Sequence, residues 1–305
     1  MRIGFAAPVS GPWATPDTAV HVARSAEDLG YDSLWTYQRV LGAADDSWGE
    51  ANRGVHDPLV TLSFLAAHTT RIRLGVAVLV MPLHTPAVLA KQLTTLDLLS
   101  GGRLDVGLGN GWAAEEYAAT GVTTTGLGRR ADDFLACLRA LWAEEPVVEH
   151  DGPFYRVPPS RFAPGPAQSP HPPLLLGGSA PAALRRAGRL CDGWIASSKA
   201  TPAAIRDAIA VVRDSAEQAG RDPAALRFVC RAPVRLRPRP APDQPLFAGT
   251  ADKIRADLAG LADTGLTEIF VDPNFDPGIG SPDAPADEAA SRVDLLLREL
   301  APTTW

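Results

Sequence analysis

The stretch "IRLGVAVLVMPLHTPAVLAKQLTTLDLLSGGRLDVGLGNGW", Ile72–Trp112, decides the fold. It opens on a continuous apolar run, Ile72–Val80, of the length of one strand. Such a run, without polar alternation, reads as a strand buried on both faces. A helical segment follows from about Ala87 to Leu99 and stops at Ser100-Gly101-Gly102. A second buried strand, Leu104–Gly109, comes next. Strand, helix and strand in this order form a βαβ unit, whose two strands run parallel.

The same rhythm runs outward in both directions. Upstream lie a strand at Arg2–Pro8, a helix at Asp17–Leu29 closed by Gly30, a strand at Ser33–Tyr37 and a helix at Asp57–His68. Downstream come a helix at Arg129–Glu144, a strand at Leu174–Gly177, a helix at Pro181–Leu190, a strand at Gly193–Ser197 and a helix at Pro202–Ala219. A strand at Leu226–Leu236, a helix at Ala251–Thr264, a strand at Glu268–Pro273 and a helix at Asp287–Leu300 complete the series. Eight βα units predict a (β/α)8 TIM barrel of α/β class with loop insertions, against a doubly wound open sheet as the competing arrangement. No shift in composition marks a boundary, so residues 1–305 are expected to form one domain. Two Pro-rich stretches, near residues 145–172 and 237–246, read as insertions at the barrel ends, either lids or surface loops.

Composition narrows the function classes. A net charge of −6 with scattered basic residues argues against a nucleic-acid surface. No apolar run reaches the roughly 18 residues of a membrane helix. The N-terminus carries one Arg and a short apolar run before Pro8, a poor signal peptide and a good first strand, so cytoplasmic residence is expected. Cys137, Cys191 and Cys230 are isolated and odd in number, which implies buried thiols and no disulfide or metal framework.

In a barrel of this kind chemistry sits at the C-terminal ends of the strands. Strand two, in "DSLWTYQRV", ends on Gln38 and Arg39. Strand three runs into Met81 and His84, and strand four into "GLGNGW", Gly107–Trp112, followed by Glu115 and Glu116. That last motif is G-x-G-x-G, so the dinucleotide fingerprint fails on spacing. Strand five runs into "GGSAP", Gly177–Pro181, where glycines, a serine and a helix start suit an anion as well as an ordinary tight turn. The six histidines show no ligand spacing and no G-x-S-x-G elbow occurs, so no metal site or serine nucleophile is expected. Glycines, amides, aromatics and Arg with few acid–base groups are the profile of a site whose hard chemistry belongs to a cofactor.

At this point "AEDLGYDSLWTYQRV", the segment His56–Trp112 and "PPLLLGGSAPAALRRAGRLCDGWIAS" together resemble the luciferase-like monooxygenase superfamily over nearly the whole chain. The resemblance is greatest to actinobacterial members assigned to the deazaflavin coenzyme F420. It implies a luciferase-like barrel, F420 as cofactor with FMN as the alternative, a small organic substrate and a homodimer. It places cofactor contacts at Gly109, Asn110, Gly111, Gly178, Ser179 and Ala180, a phosphate contact at Arg130 in preference to Arg129, and a non-proline cis peptide at Ala77–Val78 against the ring. Two departures stand out. Many deazaflavin-dependent relatives end strand two on Asp-His, and some sugar-phosphate-oxidising relatives have Glu where this chain has Asn110. Neither proton-handling residue is present, which counts against sugar-phosphate dehydrogenation.

The leading expectation is an oxidoreductase with the cofactor across the barrel mouth and its ring facing Gln38, Arg39 and Trp112 as catalytic candidates. F420 would give hydride transfer and reduced FMN monooxygenation. Arg39 is a candidate to meet a developing anion, and equally to bind the cofactor tail or a structural carboxylate; Glu115 is a candidate general acid. The competing readings are a non-catalytic flavin-binding barrel and a cofactor-free or metal-dependent barrel hydrolase or lyase.

Overall fold

The computed structural model describes residues 1–237, 239 and 243–304. Eight parallel strands close into a barrel in sequence order: β1 (Arg2–Ala6), β2 (Ser33–Thr36), β3 (Arg73–Val80), β4 (Leu104–Gly109), β5 (Leu174–Gly177), β6 (Gly193–Ala196), β7 (Arg227–Pro233) and β8 (Glu268–Asp272), which pairs back onto β1. Outside them lie α1 (Pro16–Asp28), α2 (Pro58–Ala66), α3 (Pro86–Leu99), α4 (Leu127–Leu141), α5 (Pro181–Leu190), α6 (Pro202–Gln218), α7 (Ala251–Ala259) and α8 (Ala286–Glu299). The sequence supplies the helix starts. Pro16, Pro58, Pro86, Pro181 and Pro202 occupy first-turn positions, where the missing N–H costs nothing. Thr15, Asp57, Thr201 and Thr250 cap α1, α2, α6 and α7 through their side-chain oxygens. No helix among the described residues is long and apolar enough to cross a membrane.

Strand alternation sorts the side chains. Outward residues such as Leu74, Val76, Leu104, Val106, Leu108, Phe228 and Ile269 pack with the helices in the main core. Inward residues form a separate cluster, in which Trp35 stacks on Phe270 with centroids 5.1 Å apart. Space for the indole comes from glycine: a Cβ at Gly75 would lie 2.4 Å from Trp35, and one at Gly4 would lie 3.0 Å from it.

Below this layer the inward residues are charged. Asp105 is fully buried and accepts from Arg73 (2.6 and 2.9 Å) and from Arg227 (2.5 and 2.9 Å). Glu268 accepts from Arg227 (3.0 Å), Ser33 (2.6 Å) and the Trp35 indole (2.9 Å). This layer closes the N-terminal end of the barrel.

Three expectations change in detail. The strand expected over residues 226–236 ends at Pro233, and Arg235–Leu236 pair separately with Ala248–Gly249. The helix expected over residues 251–264 stops at Ala259, before Gly260, and a 3-10 turn at Ala262–Thr264 follows. The first Pro-rich stretch leaves α4 and enters β5, so both of its ends attach at the N-terminal end of the barrel. It builds a hairpin, Val148–Asp151 with Arg156–Ser160, strapped to α4 by Asp133, which accepts the amides of Phe154 and Tyr155 and pairs with His150. In the second stretch, residues 238 and 240–242 lie outside the described residues.

Burial alone would push the Asp105 carboxyl up, but hydrogen bonds and charge from Arg73 and Arg227 outweigh it and hold it below the ordinary carboxylate value. A group depressed in the folded state contributes its stability above its unfolded pKa and loses it as pH falls through the folded one. Asp105→Asn should therefore destabilise the fold by about 3–5 kcal/mol at neutral pH, the cost of leaving buried guanidinium groups unpaired. The difference from wild type should narrow below about pH 4. Urea unfolding at both pH values checks this; an equal loss at both would contradict it.

Candidate active site

A cavity of about 450 Å³ opens at the C-terminal ends of the strands. One wall is small and mostly backbone. The β3–β4 register shifts between Val76 and Leu79, at the cis peptide Ala77–Val78. Val78 there stands against the neighbouring strand ends: a Cβ at Gly109 would lie 2.8 Å from it and one at Gly177 3.2 Å. Gly111, with φ +80, continues this wall, and Asn110 accepts the Tyr117 hydroxyl on its carbonyl at 2.8 Å. The Asn110 side-chain oxygen is buried without a partner.

The wall continues into Gly178, Ser179 and Ala180. Gly178 holds φ +130, and its carbonyl accepts the Trp194 indole at 2.8 Å, which pins the turn. Ala180 occupies the cap position of α5 and no side chain caps this helix. Pro181 brings no N–H and the Ala183 amide is bonded to the Ala180 carbonyl at 2.8 Å, so the Ala182 amide and the positive end of the helix face an anionic ligand. An orphaned buried amide oxygen, a glycine-lined wall and an uncapped helix start in one cavity fit a flat ligand with a phosphorylated tail.

The opposite wall carries the polar side chains. Gln38 is buried; its oxygen accepts the Val80 amide at 2.7 Å and its nitrogen lies 3.0 Å from Nε2 of His84. His84 Nε2 also lies 3.2 Å from the Gln38 oxygen, so the ring meets the amide through Nε2 whichever nitrogen carries its proton. Burial lowers the His84 pKa, with Asp57 opposing, in keeping with a neutral ring.

Arg39 meets Glu116 at 3.2 Å, and Glu116 also accepts the amides of Val40 (2.7 Å) and Leu41 (3.4 Å). The guanidinium lies 4.5 Å over the Trp112 ring, which in turn meets Trp48 edge-on. Burial is also the main reason the Arg39 pKa is lowered, against the pull of Glu116. These contacts correct the expectation of a strand end without acid or histidine. They also correct the choice of glutamate, because Glu115 is exposed and Glu116 turns inward.

Eleven of the expected residues line the cavity: Gln38, Arg39, Ala77, Val78, Gly109, Asn110, Gly111, Trp112, Gly178, Ser179 and Ala180. Arg130 does not; its guanidinium lies 5.2 Å over Phe154 at the hairpin tip. The arginine of this region that does reach the cavity is Arg186 of α5, tied to Asp132 (2.7 and 3.1 Å) and to the Gly128 carbonyl (2.9 Å). Arg231 of β7 also lines the cavity and had no place in the sequence reading. Its signal was the inward phase that it shares with Arg227 and Val229. Beside it, burial raises the Asp272 carboxyl above the ordinary carboxylate value, with Arg231 opposing. Burial and Asp272 likewise push the Tyr37 phenol up.

A family profile described as luciferase-like monooxygenase matches residues 2–244. An uncharacterized Mycobacterium tuberculosis protein, Rv0953c, is 34% identical over 316 residues, covering 99% of both chains. An FMNH2-dependent dimethylsulfone monooxygenase from Pseudomonas putida is 32% identical over 176 residues, 57% of this chain and 46% of that one. Among solved structures, an F420-dependent secondary alcohol dehydrogenase in complex with an F420–acetone adduct superposes with a TM-score of 0.80 at 17% identity, covering 99% of this chain and 98% of that one. One similar enzyme thus depends on FMNH2 and the other on F420. The match of profile and full-length relative over the barrel just described shows that the chain belongs to the luciferase-like monooxygenase family.

Proposed function

We propose that this chain is a cytoplasmic oxidoreductase that uses coenzyme F420 to move hydride to or from a small organic substrate. One observation carries the reading. The cavity joins a glycine-lined wall and an uncapped helix start to polar side chains already committed to protein partners: Gln38 to Val80 and His84, Arg39 to Glu116, and Arg186 to Asp132. Among the described residues no cluster of His, Cys, Asp or Glu could hold a metal ion. A reactive group brought by a bound cofactor then accounts for the chemistry. The deazaflavin is preferred on the resemblance of the chain to actinobacterial family members assigned to that coenzyme. Reduced FMN, named for the Pseudomonas putida relative, is the other outcome of the test.

Bound at the mouth, the deazaflavin supplies a two-electron hydride donor or acceptor. Ala77, Val78 and Gly109 would support its ring, and Gly178, Ser179, Ala180 and the first turn of α5 would hold its phosphate. Arg186 fixes α5 against α4 from behind that turn. Arg39 and Trp112 would flank the ring from the β2 side. Arg39, with Nε buried and unpartnered, presents positive charge to an oxygen that gains negative charge. His84 holds Gln38 in place through Nε2.

Assembly with a second copy belongs to the same reading. Val60 and Phe64 on α2 are 71% and 40% exposed, and Val88 and Leu99 on the adjacent α3 are 59% and 67% exposed. Apolar groups this open on neighbouring helices suit a protein partner better than water.

Fluorescence titration should give saturable F420 binding at least about tenfold tighter than FMN binding. Tight binding of FMN alone would overturn the deazaflavin assignment. Ala180→Asp should weaken cofactor binding by about tenfold or more while leaving thermal stability equal or higher, because the new carboxylate caps α5 and repels phosphate. The ring Cε1–H shift of His84 should titrate below the ordinary 6.5, and a midpoint at or above that value would refute the neutral, buried ring. Light scattering should give a dimer that Phe64→Glu converts to monomer with the barrel intact.

A further inference from the structure

Among the described residues, one cation of the mouth is left largely unclaimed by the protein. Arg186 makes three hydrogen bonds shorter than 3.2 Å, and Arg39 is paired with a buried glutamate. Arg231 differs. Its guanidinium is held by rings, 4.6 Å over Phe275 and 5.6 Å over Tyr37. Its polar contacts are a 3.4 Å hydrogen bond to the Ser198 hydroxyl and an approach of 4.0 Å to Asp272, beyond hydrogen-bond reach. A guanidinium has five N–H donors in a fixed fork, so most of these remain free in a residue that lines the cavity.

Asp272 explains why Arg231 stays so placed. It is fully buried at the end of β8, and one oxygen takes both the amide (3.0 Å) and the side chain (2.9 Å) of Asn274. Asn274 is fixed in turn by the Ala7 carbonyl (3.0 Å) and the Val9 amide (3.2 Å). The second Asp272 oxygen has no hydrogen-bond partner and lies towards Arg231. Asp272 therefore cannot swing forward to claim the guanidinium. It stays behind the guanidinium at 4.0 Å, while the Ser198 side remains open to the cavity.

We infer that Arg231, with Ser198, receives a carboxylate of the substrate, and that the substrate is a small organic acid. The inference rests on the proposed function for its second reactant. The fork of Arg matches the two oxygens of a carboxylate. A single guanidinium with Asp272 behind it suits a monoanion, whereas a phosphate monoester dianion would meet too little positive charge. Ser197 and Ser198 line the same part of the cavity, and Ser198 offers a hydroxyl to one of these oxygens.

The test uses calorimetry on the full chain with a panel of small carboxylic acids, each paired with its neutral amide. Titrations are made with and without saturating F420. At least one carboxylate should bind wild type at least about tenfold more tightly than its amide. Arg231→Gln should remove that preference, and Arg231→Lys should retain part of it, since Lys keeps the charge and loses the fork. No carboxylate preference across the panel, or one that survives in Arg231→Gln, overturns the inference. The anionic tail of the cofactor is the other source of a carboxylate or phosphate. If Arg231→Gln weakens F420 itself about tenfold, the anion is the cofactor's and the substrate assignment fails. If wild type binds neither F420 nor FMN, the proposed function fails, and the cofactor-free titrations still decide the role of Arg231. Should Arg231→Gln not fold, Arg231→Lys carries the comparison.

Discussion

The stack of Trp35 on Phe270 inside the barrel is the constraint from which the rest follows. An indole on an inward position must be matched by missing side chains on the strands around it, and Gly4 and Gly75 provide the room. The indole N–H also needs a partner in a dry interior, and Glu268 below supplies it. That bond joins the apolar layer to the buried ions at the bottom. Large aromatic side chains in such a position are worth about 3–5 kcal/mol each when deleted. The floor of the barrel is therefore fixed and filled, and space for a ligand exists only above it.

Above that floor the inward positions become small on one side and charged on the other. Ala77, Gly109 and Gly177 continue β3, β4 and β5, whereas Arg231 and Asp272 continue β7 and β8. The division is a consequence of strand alternation, since the same phase that places Asp105 and Arg227 at the bottom places Gly109 and Arg231 at the top. The flat side suits a ring against backbone. The charged side suits a reactant that brings its own charge.

The barrel was legible in the sequence because buried parallel strands are continuous apolar runs, and the segment Ile72–Trp112 spells out a complete βαβ unit. The glycine-rich ends of β4 and β5 were legible for the same reason, since glycine is costly where no close approach requires it. Other features depended on contacts that sequence spacing does not fix. Gln38 and His84 are 46 residues apart and meet through a 3-10 turn after β3. Glu116 rather than Glu115 faces inward because the short helix Ala114–Ala119 follows an irregular turn, which sets its phase unpredictably. Arg130 was misplaced because the hairpin that holds it arrives from the other end of the barrel. Arg231 lay hidden in "RFVCRAP", where apolar residues occupy both phases of the strand and mask the alternation.

The ending of β2 on Gln38 and Arg39 gains a physical sense from these contacts. A histidine is still present at the mouth, but it arrives from His84 and is spent on orienting an amide. Burial disfavours its charged form, and its Nε2 is already engaged by the Gln38 amide. On the proposed reading, then, charge that develops on a reacting oxygen is not quenched by proton transfer from a strand-two histidine. It must be met by fixed positive charge, and Arg39 and Arg231 both line the cavity, packed against the rings of Trp112, Tyr37 and Phe275. A dry guanidinium stabilises an oxyanion without reorganising, and it does so at every pH at which the protein is folded. The departure at strand two is thereby consistent with a change of catalytic device, from a titrating group to permanent charge, on an unchanged barrel.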